Sequence, residues 1–236
     1  MKASSVLTAA AIALVSPPAL AQQPQGAGLG EVVVTASRGN IRYFQQERPV
    51  VGLRRAADAA VMPFAISSDT REEATRKREI HTALLAAIDR AAAGGLELVS
   101  GTVQLNPITR ANYQELPFQW AGRVDTSKIE LMVKVRLAGS AAAAEKRLLD
   151  FIKAVPGSGR AVVEKNGAMT LTIVDPDQYR DAIVQLVAQD ARHNAGIFGP
   201  DFTFNISGID GPVSWSQVSS TDVFLSLPYR YTIVPK

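Results

Sequence analysis

Three aspartates, Asp175, Asp177 and Asp181, stand within seven residues of one another. Paired carboxylates with separated pKa values are the equipment of acid–base hydrolysis. The same residues at a helix start cap its free N–H groups and complement its dipole. Pro176, directly after Asp175, marks such a start. Capping therefore accounts for the cluster, and a carboxylate-dependent hydrolase is the alternative. The two histidines, His81 and His193, are 112 positions apart, and there is no cysteine. A metal site needs ligands that converge, and neither a two-histidine helix motif nor a His/Cys cluster is present. Gly157-Ser158-Gly159 lacks the flanking glycine of a nucleophile elbow and the third glycine of a dinucleotide loop. These residues point to a protein that is not an enzyme, with no catalytic set, no cofactor and no metal.

The elements around these residues follow from patterning. Glu31-Val32-Val33-Val34-Thr35 is β-branched and reads as a short strand. A strand edge and turn are expected within Val50 to Ala60, and a strand over Val61 to Ser67. Ile80, Leu84, Leu85, Ile88 and Ala92 recur at helical spacing. Asp69 or Thr70 is the expected cap, since Thr70-x-x-Glu73 has capping-box spacing, and Gly94-Gly95 is the stop. Leu96 to Leu105 reads as one strand. From Ile129 to Leu137 apolar residues alternate with Glu130, Met132, Lys134 and Arg136, which predicts a strand with one wet face. Ser140 caps a second helix with Ala144, Leu148, Phe151 and Ile152 on its buried side, ended by Val155-Pro156-Gly157.

Ala168 to Val174 is a further strand. Asp175 and Pro176 then open a third helix with Tyr179, Ile183, Leu186, Val187 and Ala191 as its stripe, closed by Gly196 to Gly199. Two short strands follow, at Phe202 to Ile206 and Val213 to Trp215. One long strand is expected to carry Val223, Leu225, Leu227, Tyr229, Tyr231 and Ile233 on one face, with Pro228 forcing an edge or a bulge. The fold class is α+β, long amphipathic helices on one face of largely antiparallel sheets.

Export sets the expected compartment. Lys2, an apolar run to Val15, the Ser16-Pro17-Pro18 break and Ala19-Leu20-Ala21 stand in the order of a secretory signal peptide cleaved after Ala21. The run is too short to span a bilayer. Residues 22–30, rich in Gln, Pro and Gly, read as a flexible leader, and 31–236 as one α+β domain. The expected location is the periplasm, or association with the outer membrane, with no transmembrane anchor. A formal net charge of +3, falling to +2 when Lys2 leaves, and dispersed arginines offer no footprint for nucleic acid. Without disulfides, such a protein stands on its hydrophobic core. Trp120, Trp215 and Phe224 are candidates for an exposed aromatic patch used in self-assembly, or for a second buried face.

Two resemblances add to this. Glu31 to Arg38, with Val32, Val33, Val34 and Thr35 at its centre, resembles the box near the N-terminus of TonB-dependent receptors, which pairs with a TonB-type coupling protein by strand addition. A receptor barrel of about 22 strands would need far more chain. The longer resemblance, over about 61–235, is to the SIMPL-domain family of bacterial exported proteins. It rests on Met62 to Ser67, Glu72-Glu73-Ala74, Gly95-Leu96, Asp175-Pro176, Tyr179-Arg180, Val187-Ala188, Asp190-Ala191-Arg192, Ala195 and Pro228 to Ile233. The family's early V-x-G-x-G is replaced by Thr35-Ala36-Ser37, which marks a divergent branch. The resemblance implies an oligomeric envelope protein without catalytic residues. Non-enzymatic self-assembly or binding of an envelope partner ranks first, an accessory of TonB-dependent transport second, and the hydrolase third.

Overall fold

The computed structural model describes residues 30–34 and 51–236. The segments expected to be a signal peptide and, up to residue 29, a leader, together with Thr35, lie outside the described residues. In chain order the elements are β1 (Glu31–Val34), β2 (Leu53–Ala56), β3 (Ala59–Ser68), α1 (Glu73–Ala93), β4 (Glu97–Ser100), β5 (Asn106–Pro107), β6 (Gln119–Trp120) and β7 (Ser127–Arg136). Then come α2 (Ala141–Ala154), β8 (Val162–Lys165), β9 (Thr170–Val174), α3 (Arg180–Phe198), β10 (Phe202–Ser207), β11 (Ser214–Gln217), β12 (Asp222–Ser226) and β13 (Arg230–Pro235). Every ladder among them is antiparallel, and the class is α+β.

Eight strands form one curled sheet in the order β1-β9-β3-β7-β4-β5, with β8 also on β3 and β6 also on β7. Strict alternation on β7 turns Ile129, Leu131, Val133 and Val135 toward α1 and α2. Met62, Phe64 and Ile66 of β3 join them, with Ile80 and Leu84 from α1 and Leu148, Phe151 and Ile152 from α2. The Phe64 and Phe151 rings meet edge to face, with centroids 6.2 Å apart. The opposite face carries a second, small cluster of Val33, Val61, Val99 and Leu105. The curl is closed by backbone bonds from β1 to the segment just before β5. Leu105 N–H donates to Glu31 O at 2.9 Å, and Val33 N–H donates to Val103 O at 3.1 Å.

Pro63 sits in the middle of β3, where a proline ordinarily breaks a ladder. Here the neighbouring strand bulges away. β8 and β9 both pair with β3, and residues 166–169 loop out between them, opposite the proline. Asn166 N–H donates to the Pro63 carbonyl at 2.9 Å, so the missing N–H also faces the bulge. Gly167, at φ +151°, lies so close that a Cβ would stand 2.6 Å from Pro63 Cγ.

Several boundaries differ from the sequence expectation. The cap of α1 is Glu72, whose carboxylate accepts from Ala74 N–H at 2.9 Å and Thr75 N–H at 2.6 Å. Thr70 instead donates its hydroxyl to Glu79, as does Ser68, which keeps the Glu79 carboxyl below its usual pKa. The strand expected over Leu96 to Leu105 breaks after Ser100, because Gly101 turns at φ +124°, and a Cβ there would strike the Gln104 carbonyl. Asp175 is not a side-chain cap. It holds φ 40°, and Pro176 opens a 3-10 turn, Pro176–Tyr179, before α3. The long C-terminal strand is two strands in two sheets: β12 joins β11 and β2, while β13 pairs with β10, and Pro228 lies in the break. The β8 strand had no expectation at all, because it is short and mostly exposed.

Candidate functional site

One polar group of the curled sheet combines burial with charge. Glu31 opens β1, Lys134 lies on the wet face of β7, Glu97 opens β4 and Thr172 is on β9. Lys134 Nζ stands 2.5 Å from Glu31 Oε2 and 2.5 Å from Glu97 Oε2. Thr172 Oγ1 donates to Glu31 Oε1 at 2.5 Å. The Lys134 and Glu31 side chains are only 17% and 12% exposed. Strand geometry brings them together. Alternation puts Lys134, Thr172 and Glu31 on the helix-free face, and register sets Glu97 opposite Lys134 and Glu31 beside β9. Asp58, Arg136 and Val174 complete the wall of a cleft of about 280 Å³.

Burial opposes the charge on Lys134, but its bonds to two carboxylates outweigh that and raise its pKa. The group therefore stays an ammonium ion and has no free lone pair for nucleophilic or base chemistry. Its lysine, on β7, bridges β1 and β4, and no ladder joins β1 to β7 among the described residues. The arrangement is an electrostatic clasp on β1. Trp215 of β11 adds to it, donating its indole N–H to Val33 O at 3.2 Å.

The structure thus places Val32 and Val33 of the box-like segment inside the molecule. Both are buried, and the backbone of β1 is bonded on one side to β9 and on the other to residues 103–105. A coupling protein could add a strand there only by displacing one of these neighbours. Val34 belongs to the same ladder, opposite Leu171.

The three aspartates do not converge on either cleft. The Asp175 backbone N–H donates to Gly30 O at 2.7 Å, continuing the ladder of β1 with β9. Asp177 lies 3.6 Å from Arg180 Nη2, and Asp181 is exposed on α3. One oxygen each of Asp175 and Asp177 is shielded from solvent without a hydrogen-bond partner. Tyr179 and Arg180, part of the longer resemblance, have clear packing roles. The Arg55 guanidinium lies over the Tyr179 ring at 4.5 Å, and Arg180 donates to Ile209 O at 2.8 Å and Gly211 O at 2.7 Å.

His81 packs on a strap formed by residues 107–118. Its ring centroid is 5.2 Å from both Tyr113 and Phe118, and its Nε2 has no partner. Burial and the nearby Lys77 hold its pKa below the ordinary histidine value. His193 is exposed on α3. The expected aromatic patch is not assembled. Trp215 and Phe224 are partly buried, and Trp120 alone is largely exposed, at 69%. Exposed apolar surface is found instead at the end of α3, where Ile197 and Phe198 are 70% and 61% exposed. A second cleft of about 280 Å³ opens there, lined by Arg192, Phe202, Phe204 and Lys236. Residue spacing missed this place because Gly196 to Gly199 reads only as the stop of the helix.

Comparison with protein-family models and with curated protein sequences finds no match. Among the described residues no helix is long and apolar enough to cross a membrane, and no group of three or more His, Cys, Asp or Glu side chains is placed to hold a metal ion.

Proposed function

We propose that this is a non-enzymatic, exported envelope protein that works by joining copies of itself or an envelope partner. The observation that carries the reading is the ribbon of β10 and β13. Among the described residues each of its strands has one ladder partner only, so both outer edges present unpaired N–H and C=O groups. Exposed Ile197 and Phe198 flank it, with Phe198 and Phe202 ring centroids 5.9 Å apart. Open edges beside apolar surface are what strand-edge association uses. Export, with cleavage after Ala21 and residence in the periplasm or at the outer membrane, is part of the same proposal. So is the finer fold assignment, a divergent SIMPL-like domain. It is supported by the helix-then-strand order of α1 to β4 and by the packing of Tyr179 and Arg180.

Sedimentation of the full chain across a concentration series tests this. Association is expected, and Ile197→Lys with Phe198→Lys is expected to weaken it at least tenfold while leaving the circular dichroism spectrum unchanged. Lysine suits a helix C-terminus, so the substitution does not itself oppose α3. A strict monomer that also captures no envelope protein overturns the proposal. The accessory role in TonB-dependent transport requires β1 to part from at least one of its two neighbours. A pull-down with the coupling protein, repeated after deletion of residues 31–38, separates that role from self-association.

A further inference from the structure

We propose that β1 is an exchangeable strand: in the assembled protein the Glu31–Val34 segment of one copy fills the slot between β9 and residues 103–105 of another. This rests on the self-association reading above and adds to the ribbon edges a second contact between copies. Three observations carry it. First, among the described residues the ladders and the clasp that seat β1 are remote in the chain. Its ladder partners are Leu171 to Val174 on one side and residues 103–105 on the other, and its clasp is Lys134. Among the described residues no ladder joins β1 to β2, the next strand in sequence.

Second, the slot is specific for this segment. Val32 fills the helix-side core and Val33 the small cluster with Val61, Val99 and Leu105. Glu31 meets Lys134 and Thr172, and the Val33 carbonyl meets the Trp215 indole. A second copy of the chain carries the same strand, so it satisfies the slot with the same register and the same charges. Third, residues 35–50 connect β1 to the rest of the chain. Sixteen residues reach about 50 Å when extended. A folded body of this length has a radius of gyration of about 16 Å. The connection is therefore long enough to deliver β1 to a neighbouring copy, the arrangement of a domain swap.

The absence of native cysteine makes the test direct. Val33 and Thr172 face each other across β1 and β9. The N–H and carbonyl of Val33 turn to Val103 and Trp215, so this is a non-hydrogen-bonded pair with closely spaced side chains. One full-length chain carrying Val33→Cys and a differently tagged one carrying Thr172→Cys are produced together in one cell and oxidised. Exchange predicts a disulfide-linked hybrid of the two tags, found in the associated fraction and absent when either variant is produced alone.

The doubly substituted chain, Val33→Cys with Thr172→Cys, gives the opposing readout. If the protein associates but this chain closes its disulfide only within itself and no hybrid forms, exchange is overturned and association through other edges stands. If the protein is monomeric throughout and no hybrid forms, both the exchange and the reading beneath it fail. Should these substitutions prevent folding, Glu31→Cys and Val174→Cys provide a second facing pair.

Discussion

The helices α1 and α3 begin the same kind of unit, a long helix feeding antiparallel strands, yet the two halves of the molecule end differently. Around α1 the central strands find neighbours on both sides. β7 lies between β3 and β4, β3 lies between β7 and the pair β8 and β9, and Ala59 to Met62 of β3 are buried on both faces. Beyond α3 the ribbon of β10 and β13 stops at two strands, and none of their residues is fully buried. Both helices bury stripes rich in alanine: Ala83, Ala87 and Ala91 on α1, and Ala191 and Ala195 on α3. Helix chemistry therefore does not separate the halves. The number of strands offered to the helix does. A sheet that curls on itself covers its edges, whereas a two-stranded ribbon keeps them open.

The largest effect that would break this contrast is in the core. Phe64→Ala removes a fully buried ring packed on Phe151, and a loss of about 3–5 kcal/mol in chemical denaturation is expected. Phe204→Ala, at a half-buried position of the ribbon, is expected to cost about 1 kcal/mol. Equal losses would mean that the two halves are equally cored.

The clasp comes next. Lys134→Met leaves Glu31 and Glu97 without their shared cation, and a loss of about 2 kcal/mol is expected. Hydrogen exchange is expected to rise first at Val32 and Val34, whose N–H groups face β9. Because the folded-state pKa of Lys134 is raised, its contribution is complete below the unfolded value of about 10.4 and is lost as pH rises through the folded one. The lysine side of the clasp is thus expected to hold at neutral pH and to weaken only in strongly alkaline solution. An unchanged exchange rate in β1 would show that its ladders alone hold it.

Much of the first half was legible before the structure, and for a physical reason. The alternation of β7 and the four-residue stripe of α2 state their buried faces directly, and all four predicted α2 residues are buried. The failures occur where long-range pairing overrides local pattern. Val223 to Ile233 reads as one strand, but its halves belong to different sheets, which no periodicity can show. The clasp was hidden for the same reason. Glu31 and Lys134 are 103 residues apart, and each is an ordinary polar residue on an alternating strand. The one available signal was a glutamate heading a run of valines. Val32 and Val33 as a docking motif and as a buried stave use the same β-branched composition, so composition does not choose between them.

The smallest expected effect compares the two histidines, one on each long helix. His81 of α1 is packed against Tyr113 and Phe118 of the strap, with Lys77 one turn away and over the Phe118 ring at 5.6 Å. Arg110 pins the same strap through a two-point pair with Asp89, and that arginine holds the Asp89 carboxyl below its usual pKa. On acidification Asp89 therefore stays ionised while His81 reaches its range. The folded pKa of His81 is depressed, so its contribution is complete above the unfolded value of about 6.5 and is lost as pH falls through the folded one. A proton there also places a second cation beside Lys77. The melting temperature is expected to drop by a few degrees between pH 7.5 and pH 5, and His81→Phe is expected to remove part of that drop. His193→Gln, at the exposed position on α3, is expected to leave the drop unchanged. If the two substitutions act alike, the strap does not depend on a neutral His81, and the contrast between a closed first half and an open second half loses its titrating marker.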